Sequence, residues 1–329
     1  MGERVLHVDG MNLFIRNFVV IPVTNDDGEH FGGTFGFLRS LRAMVQTFKP
    51  TVVAISWEGT SAGLRRKNLL KEYKANRGKR IWTRGSVKAF DFITEQEKKD
   101  NFKMQIQRLD EYLDVFPFKV FKLPFVEADD IIAEYVNKAP SDDHVIYSMD
   151  ADYHQLIGSN TVCYNGVSRQ LWSHDSFVKK HGFLPHNYIF IKCILGDKSD
   201  NIPGMYGYGE KTAIKLFPTL ATETVNDITD FEELVKHEYH NNAHTKSQTT
   251  KIKEVIDNWD MIMLNYQLMQ LHDVNISFQD KQSVKELFID GDVNKFDRVQ
   301  LRKLFLEDKL ASQVKHFESW VTPFSHLQR

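Results

Sequence analysis

The stretch FKVFKLPFVEADDIIAEYV, Phe118–Val136, carries both periodicities from which the fold follows. Its first half is a short apolar run of strand length, dominated by Phe and Val. Its second half repeats Ile131, Ile132 and Tyr135 at helical spacing, the start of a buried helix. Between the two stand three carboxylates in four positions, Glu127, Asp129 and Asp130. Acids favour a first helical turn, where the positive end of the helix dipole lies. Taken alone, the segment needs no functional explanation.

Working outward, three more apolar runs end in the same way. RVLHVDG ends in Asp9, TVVAISWEG in Glu58, and HVIYSMDAD in Asp150 and Asp152. Their length and their Val, Ile, Tyr and Phe content suit buried strands. Helix-like patterns such as GTFGFLRSLRAMVQTF lie between them. Alternating strands and helices predict an α/β chain with a mostly parallel central sheet flanked by helices. Ligands sit at the carboxyl ends of such strands, and all four acidic groups fall there. Anions gathered in one cleft need a compensating positive charge, which hard divalent cations with oxygen ligands supply. The competing reading, four unrelated turns using Asp for local chemistry, fits poorly when all four lie at one end.

The chain of 329 residues is long enough for two domains or subdomains. MGERVLHVDG passes straight into a strand pattern, with no secretory signal read in it. No apolar run approaches the roughly 20 residues needed to span a bilayer, so no membrane partner is expected. Cys163 and Cys193 lack CxxC or Cys/His spacing, which argues against a thiolate zinc site and for a reduced, cytoplasmic setting. Charge is unevenly placed. From Leu64 to Phe90 there are ten Lys/Arg and one acid, a local +9 in a chain of net −2, so the remainder carries −11. A basic segment against an acidic remainder is the layout of a phosphate grip beside a metal site.

After Tyr188 the character changes. YIFIKCILGDKSDNIPGMYGYGEKTAIKLFP is an apolar helix pattern, a Gly-rich turn, and a second helix beginning near Lys211. Asp197 and Asp200, three apart, share one helical face or simply cap a helix beside Pro203. The turn is not a nucleotide-binding loop, because Glu210 intrudes between Gly209 and Lys211-Thr212 and no strand precedes it. A helix-hairpin-helix over about 188–217, contacting a DNA backbone without reading sequence, is the preferred reading. Thr222 to about Lys253 is polar, and HEYHNNAHTKSQTTK reads as a solvated, loop-like insertion rather than a histidine metal site. FDRVQLRKLFLEDKLASQVKHF is helical without recognisable chemistry. The final ESWVTPFSHLQR is expected to fold Trp320 and Phe324 back onto the body.

Five segments, VDGMN, LLKEYKANR, EADD, SMDADYHQL and GDKSDNIPGMYGYGEKTA, follow one another from Asp9 to about Ala213. With them the chain resembles the flap endonuclease-like 5′-nucleases, most closely the bacteriophage 5′-to-3′ exonuclease/RNase H branch. Beyond Asn265-Tyr266 the match is faint. The resemblance implies a PIN-like 5′-nuclease fold. An α/β nuclease domain would span 1–185, with a basic helical arch segment over about 62–118, and a helical DNA-binding subdomain would span 186–329.

The resemblance also implies hydrolysis of phosphodiester bonds by two carboxylate clusters holding two Mg²⁺ ions, with Mn²⁺ as a substitute. The first cluster would be Asp9, Glu58, Glu127, Asp129 and Asp130, and the second Asp150, Asp152, Asp197 and Asp200. Glu58 departs from the pattern, since the family usually has Asp there. Lys74 and Arg77 match positions that approach the scissile phosphate, with Arg65 and Arg66 nearby. Tyr73 or Trp82 could stack on a base, and Gly207, Gly209, Lys211 and Thr212 would hold duplex. The implied function is flap endonuclease, 5′-3′ exonuclease and RNase H action on branched or nicked DNA and RNA–DNA hybrids. It would remove primers or flaps in phage DNA replication, as a monomer in the bacterial cytoplasm, with a single-stranded-DNA-binding protein as a plausible partner. Two other readings compete. One is a catalytically silent DNA-structure-binding protein of the same fold, against which every carboxylate position remains acidic. The other is a phosphatase using Asp150 as nucleophile, for which no completing lysine motif stands out.

Overall fold

The computed structural model describes residues 2–75, 87–241, 243–289 and 291–328. Six strands form one sheet: β1 (Arg4–Asp9), β2 (Val52–Trp57), β3 (Lys119–Lys122), β4 (Asp143–Tyr147), β5 (Thr161–Asn165) and β6 (Gln170–Trp172). Their order is β3-β2-β1-β4-β5-β6, and every neighbouring pair is parallel except β5 with β6. The mostly parallel sheet flanked by helices is therefore present, and the four acid-terminated runs supply β1 to β4. TVCYN and QLW, which become β5 and β6, carry no terminal acid and too short a pattern to be read beforehand.

Alternate side chains enter opposite layers, as the two-residue period of a strand requires. Leu6, Val8, Val53 and Ile55 pack with Leu13, Phe14, Phe18, Phe37 and Leu41, from the helices Gly10–Val20 and Gly32–Phe48. Val5, Val52 and Ala54 pack on the other face with Ile131 and Tyr135 of the helix Ala128–Lys138. Burying each such side chain contributes about 1.5–3 kcal/mol, which is why a parallel sheet is stable only when both faces are covered.

A further core joins the helices Tyr188–Leu195, Glu210–Leu216, Ile228–His240, Lys246–Asp257 and Trp259–Met269. Phe190, Ile194, Phe231, Val235, Ile252 and Ile262 fill it, together with Ile132, Ile146 and Tyr153 from the α/β side. The helical unit is thus seated on the sheet domain rather than tethered to it. Among the described residues no helix is long and apolar enough to cross a membrane.

Two expectations are corrected, and a third falls partly outside the described residues. The loop-like insertion expected at HEYHNNAHTKSQTTK, within the polar stretch 222–253, is largely helical: it spans the end of Ile228–His240 and the start of Lys246–Asp257, each helix with an acceptor side chain at its N-cap. The apolar residues Phe231, Val235 and Ile252 of that stretch are spaced widely enough to be masked by polar neighbours, yet all are buried. The tail does not belong with the helical subdomain assigned to 186–329. Phe296, Leu301, Leu304, Phe305, Phe324 and Leu327 join the core under β1 and β2 instead, and Trp320 packs against it. Finally, of the arch segment 62–118, residues 76–86 lie outside the described residues, and the described remainder holds to the body. Its 20-residue helix Glu95–Asp114, capped by Thr94, buries Leu109, Tyr112 and Leu113, and Gln105 Oε1 accepts from Thr34 N at 2.9 Å.

Candidate active site

Asp9 is the last residue of β1, and its carboxylate caps the following helix by accepting from Asn12 N at 3.0 Å. Gly10 makes this turn close-packed, since a Cβ there would stand 2.7 Å from the Trp57 ring. Asp9 pairs in register with Ser56, two residues before Glu58, and Val8 pairs with Tyr147, three before Asp150. Adjacent strands lie about 4.7–4.9 Å apart, so three consecutive strands present Glu58, Asp9 and Asp150 at one edge. Strand order reverses between β1 and β4, the switch point at which open parallel sheets bind ligands. A cleft of about 450 Å³ opens there, lined by Asp9, Glu58 and Asp150 together with Met11, Asn12 and Arg16.

The charges in this cleft sense one another. Burial pushes the Asp9 carboxyl up to about 7; Glu58, Asp150 and Asp129 add to the rise, against the Asn12 N–H. Buried Tyr153, whose hydroxyl is 3.5 Å from Asp9 Oδ2, is raised by burial and by the same four carboxylates. Among the described residues neither Asp9 nor Asp150 has a cation within ion-pair distance. An all-oxygen donor set with unbalanced negative charge suits a hard divalent cation.

Glu127, Asp129 and Asp130 form the tightest acidic group, with one oxygen of each within 4.8 Å of the others. The group is already partly neutralised. Arg66, only 1 % exposed, lies against Glu127 and donates to Asp130 Oδ1 at 2.8 Å and to Asp129 Oδ1 at 3.3 Å. Its remaining edge donates to Leu268 O at 2.8 Å. Lys74 also lies against Glu127 and is 3.8 Å from Glu58. Glu127 and Asp130, each 2 % exposed, are thereby counter-ions to a buried guanidinium. Asp129 is different: it is partly exposed, and its charge reaches Asp9.

This corrects two substrate-binding expectations. Arg66 is committed inside the protein and cannot reach DNA. Tyr73 is buried, with its hydroxyl 3.3 Å from Glu127 Oε2, so it offers no face for a base. Arg65 donates to Asp130 Oδ2 at 3.2 Å while its side chain keeps 25 % exposure. Arg77 and Trp82 lie outside the described residues.

The second expected cluster divides. Asp150 caps the turn Ala151–Leu156 by accepting from Asp152 N at 3.0 Å, and its charge is felt at Asp9. Asp152 and Asp197 instead gather around Lys192, which touches Asp152 and lies 2.9 Å from Asp197 Oδ2. Burial and Asp150 push Asp152 up to about 7 despite Lys192. Burial acts on Asp197 in the same sense, yet Lys192 and Ser199 outweigh it and hold Asp197 at about 2. Asp200 is buried in the same turn, where Ser199 Oγ is 3.4 Å from its Oδ1 and its carbonyl accepts from Lys74 N at 3.0 Å. Lys192 escaped the sequence reading, although a lone cation inside the apolar run YIFIKCIL was its signal.

The glycine turn faces outward. Gly207 has φ 77°, a left-handed conformation suited to glycine. Gly209 precedes the helix Glu210–Leu216, and a Cβ at either glycine would meet nothing within 4 Å. Lys211 is exposed and Thr212 half-buried beside them.

Comparison with known proteins agrees with this geometry. Residues 4–182 match the family model for the N-terminal, resolvase-like domain of 5′-3′ exonucleases, and residues 183–287 match their C-terminal SAM fold. The 5′-3′ exonuclease of Aquifex aeolicus is 28% identical over 212 residues, covering 64% of this chain and 67% of that protein. DNA polymerase I of Bacillus subtilis is 30% identical over 221 residues, 65% of this chain; the match spans only 23% of that polymerase's length. A bacteriophage T5 flap endonuclease, solved with DNA and metal ions, superposes with TM-score 0.62 at 17% identity, over 94% of this chain and 99% of that one. At that identity the likeness is one of fold.

Proposed function

The chain belongs to the 5′-3′ exonuclease family of flap endonuclease-like 5′-nucleases, and from that premise we propose that it hydrolyses phosphodiester bonds at 5′ ends of branched or nicked DNA and RNA–DNA hybrids. One observation carries the reading: Asp9, Glu58 and Asp150, from three separate segments, line one cleft at the switch point of the sheet, and the charge of Asp129 from a fourth segment reaches Asp9. These four are the residues that would hold two Mg²⁺ ions, or Mn²⁺ in their place. Bound there, such cations supply positive charge to the scissile phosphate and acidify a water.

The chain's own residues do the rest. Lys74, at the edge of the cleft between Glu127 and Glu58, offsets charge that develops on the phosphate. Lys192 keeps Asp197 ionised beside the cleft. The turn Gly207–Thr212 offers backbone N–H groups to duplex phosphates, which sets position without reading sequence. The setting we infer is removal of primers or flaps in phage DNA replication.

The test digests 5′-labelled flap, nicked duplex and RNA–DNA hybrid side by side with Mg²⁺, Mn²⁺ or EDTA, and maps the product ends. Cleavage near the branch point with either metal and none in EDTA is expected. Full cleavage in EDTA would remove the metal mechanism, and no cleavage of any substrate would leave a DNA-structure-binding protein.

A further inference from the structure

We propose that Lys251 is a positioning residue for the duplex contact, holding the Gly207–Gly209 turn in its binding shape from a neighbouring helix. The inference rests on the DNA-binding role proposed for that turn. Three contacts join this one residue to two consecutive residues of the turn. Lys251 Nζ donates to Gly207 O at 3.2 Å. The same ammonium stands 4.6 Å from the centre of the Tyr208 ring, a cation–π distance. The Tyr208 hydroxyl donates to Lys251 O at 2.7 Å and approaches Glu254 Oε2 at 2.8 Å.

The helix that carries Lys251 is itself fixed. Lys246–Asp257 opens with a reciprocal Thr245–Gln248 capping box and buries Ile252 and Val255. The turn it meets is otherwise held at Tyr208, which packs against the helical core and donates from N to Met205 O at 3.4 Å, and at Gly209 O, which accepts from Thr212 N and Ala213 N. Two of its three residues are glycines, whose backbones lose the most freedom on ordering. Tyr206, beside it, is 102% exposed, and nothing lies within 4 Å of where a Cβ on Gly207 or Gly209 would be. A turn that must be ordered at the moment of contact binds more weakly than one ordered beforehand. A charged donor on the Gly207 carbonyl is a stronger tie than a neutral one.

Because the ammonium is turned inward onto Gly207 O and the Tyr208 ring, it acts through the turn rather than on a phosphate. Counting charges separates the two roles. Each phosphate neutralised directly adds about 0.9 to the slope of log affinity against log salt.

The experiment uses the full chain with a 5′-labelled flap, comparing wild type with Lys251→Met, Lys251→Arg and Tyr208→Phe. KM and kcat are measured in Mg²⁺, and flap affinity is measured over a salt series in Ca²⁺. The expectation for Lys251→Met is a rise in KM and Kd of about tenfold, with kcat and the salt slope unchanged. Lys251→Arg should recover most of the loss, and Tyr208→Phe, which keeps the charge and removes the hydroxyl tie, should reproduce part of it. Unchanged KM in both Lys251→Met and Tyr208→Phe overturns the inference. A salt slope lowered by about one in Lys251→Met overturns it too, since the lysine would then touch phosphate itself. A wild-type chain that fails to bind flap overturns the functional reading beneath it, an outcome distinct from either.

Discussion

Arg66 Nε donates to Leu268 O at 2.8 Å, a bond between residues 202 apart that joins the nuclease side of the molecule to its helical unit. The other edges of the same guanidinium are taken by Glu127 and Asp130, all out of solvent. Removing the cation would strip the buried Glu127 and Asp130 of their shared, fully enclosed partner and leave them only Lys74 and Arg65 at the cleft edge. Arg66→Met should therefore lower stability by about 3–5 kcal/mol, read as an earlier urea midpoint. A loss below about 1 kcal/mol would mean the network contributes little to the fold.

Asp150 sits where β4 meets the cleft. Asp150→Asn keeps the shape and the turn-capping oxygen and deletes the charge. Flap cleavage should fall by at least about a hundredfold, while flap affinity in Ca²⁺ stays within about threefold, because the duplex is held elsewhere. Retained cleavage would exclude Asp150 from the metal-holding set.

The crowding at Asp9 predicts a particular pH dependence. Its carboxyl is raised from 3.8 to about 7 in the fold, so between those values the folded chain binds more protons than the unfolded one. Stability without metal must then fall as pH rises through that window, and Asp152, raised to about 7, acts in the same direction. At 1.36 kcal/mol per pK unit the ceiling for Asp9 is about 4 kcal/mol; solvent access and shared charges reduce it to about 1–2. Melting curves in EDTA from pH 4.5 to 7.5 should show the decline, and Asp9→Asn or added Mg²⁺ should flatten it. A variant whose decline matches wild type would contradict the assignment.

Lys74 places its charge between Glu127 and Glu58. Lys74→Ala should reduce kcat about a hundredfold with KM changed less than threefold. Lys74→Arg should restore part of the rate. An equal rise in KM with kcat intact would make Lys74 a binding residue instead.

Glu58 tests the effect of one added methylene. Glu58→Gln should raise the Mg²⁺ concentration for half-maximal rate about tenfold, whereas Glu58→Asp should leave it within about threefold. Indistinguishable Mg²⁺ curves for Glu58→Gln and wild type would place Glu58 outside metal binding.

Four of the six strands and the acids at their ends were legible in the sequence alone, for a local reason. Strand and helix periods are written in neighbouring residues, so β1 to β4 and the helix after EADD were readable one segment at a time. So was the Gly207–Gly209 turn, because its glycines signal a turn and Gly207 takes the left-handed backbone at no steric cost. What the tertiary structure decided is how each of these acids is balanced. Nine carboxylates read alike along the chain. Arg66, 61 positions from Glu127 and 64 from Asp130, turns those two into its counter-ions. Lys192, 40 positions from Asp152, does the same for Asp152 and Asp197. Asp200 is buried in the turn beside Asp197, and Asp9 and Asp150 share the cleft with Glu58, 3.8 Å from Lys74, and near Asp129, 3.3 Å from Arg66. Charge balance depends on distance through space, and side chains from remote segments set that distance only once the two units have packed together.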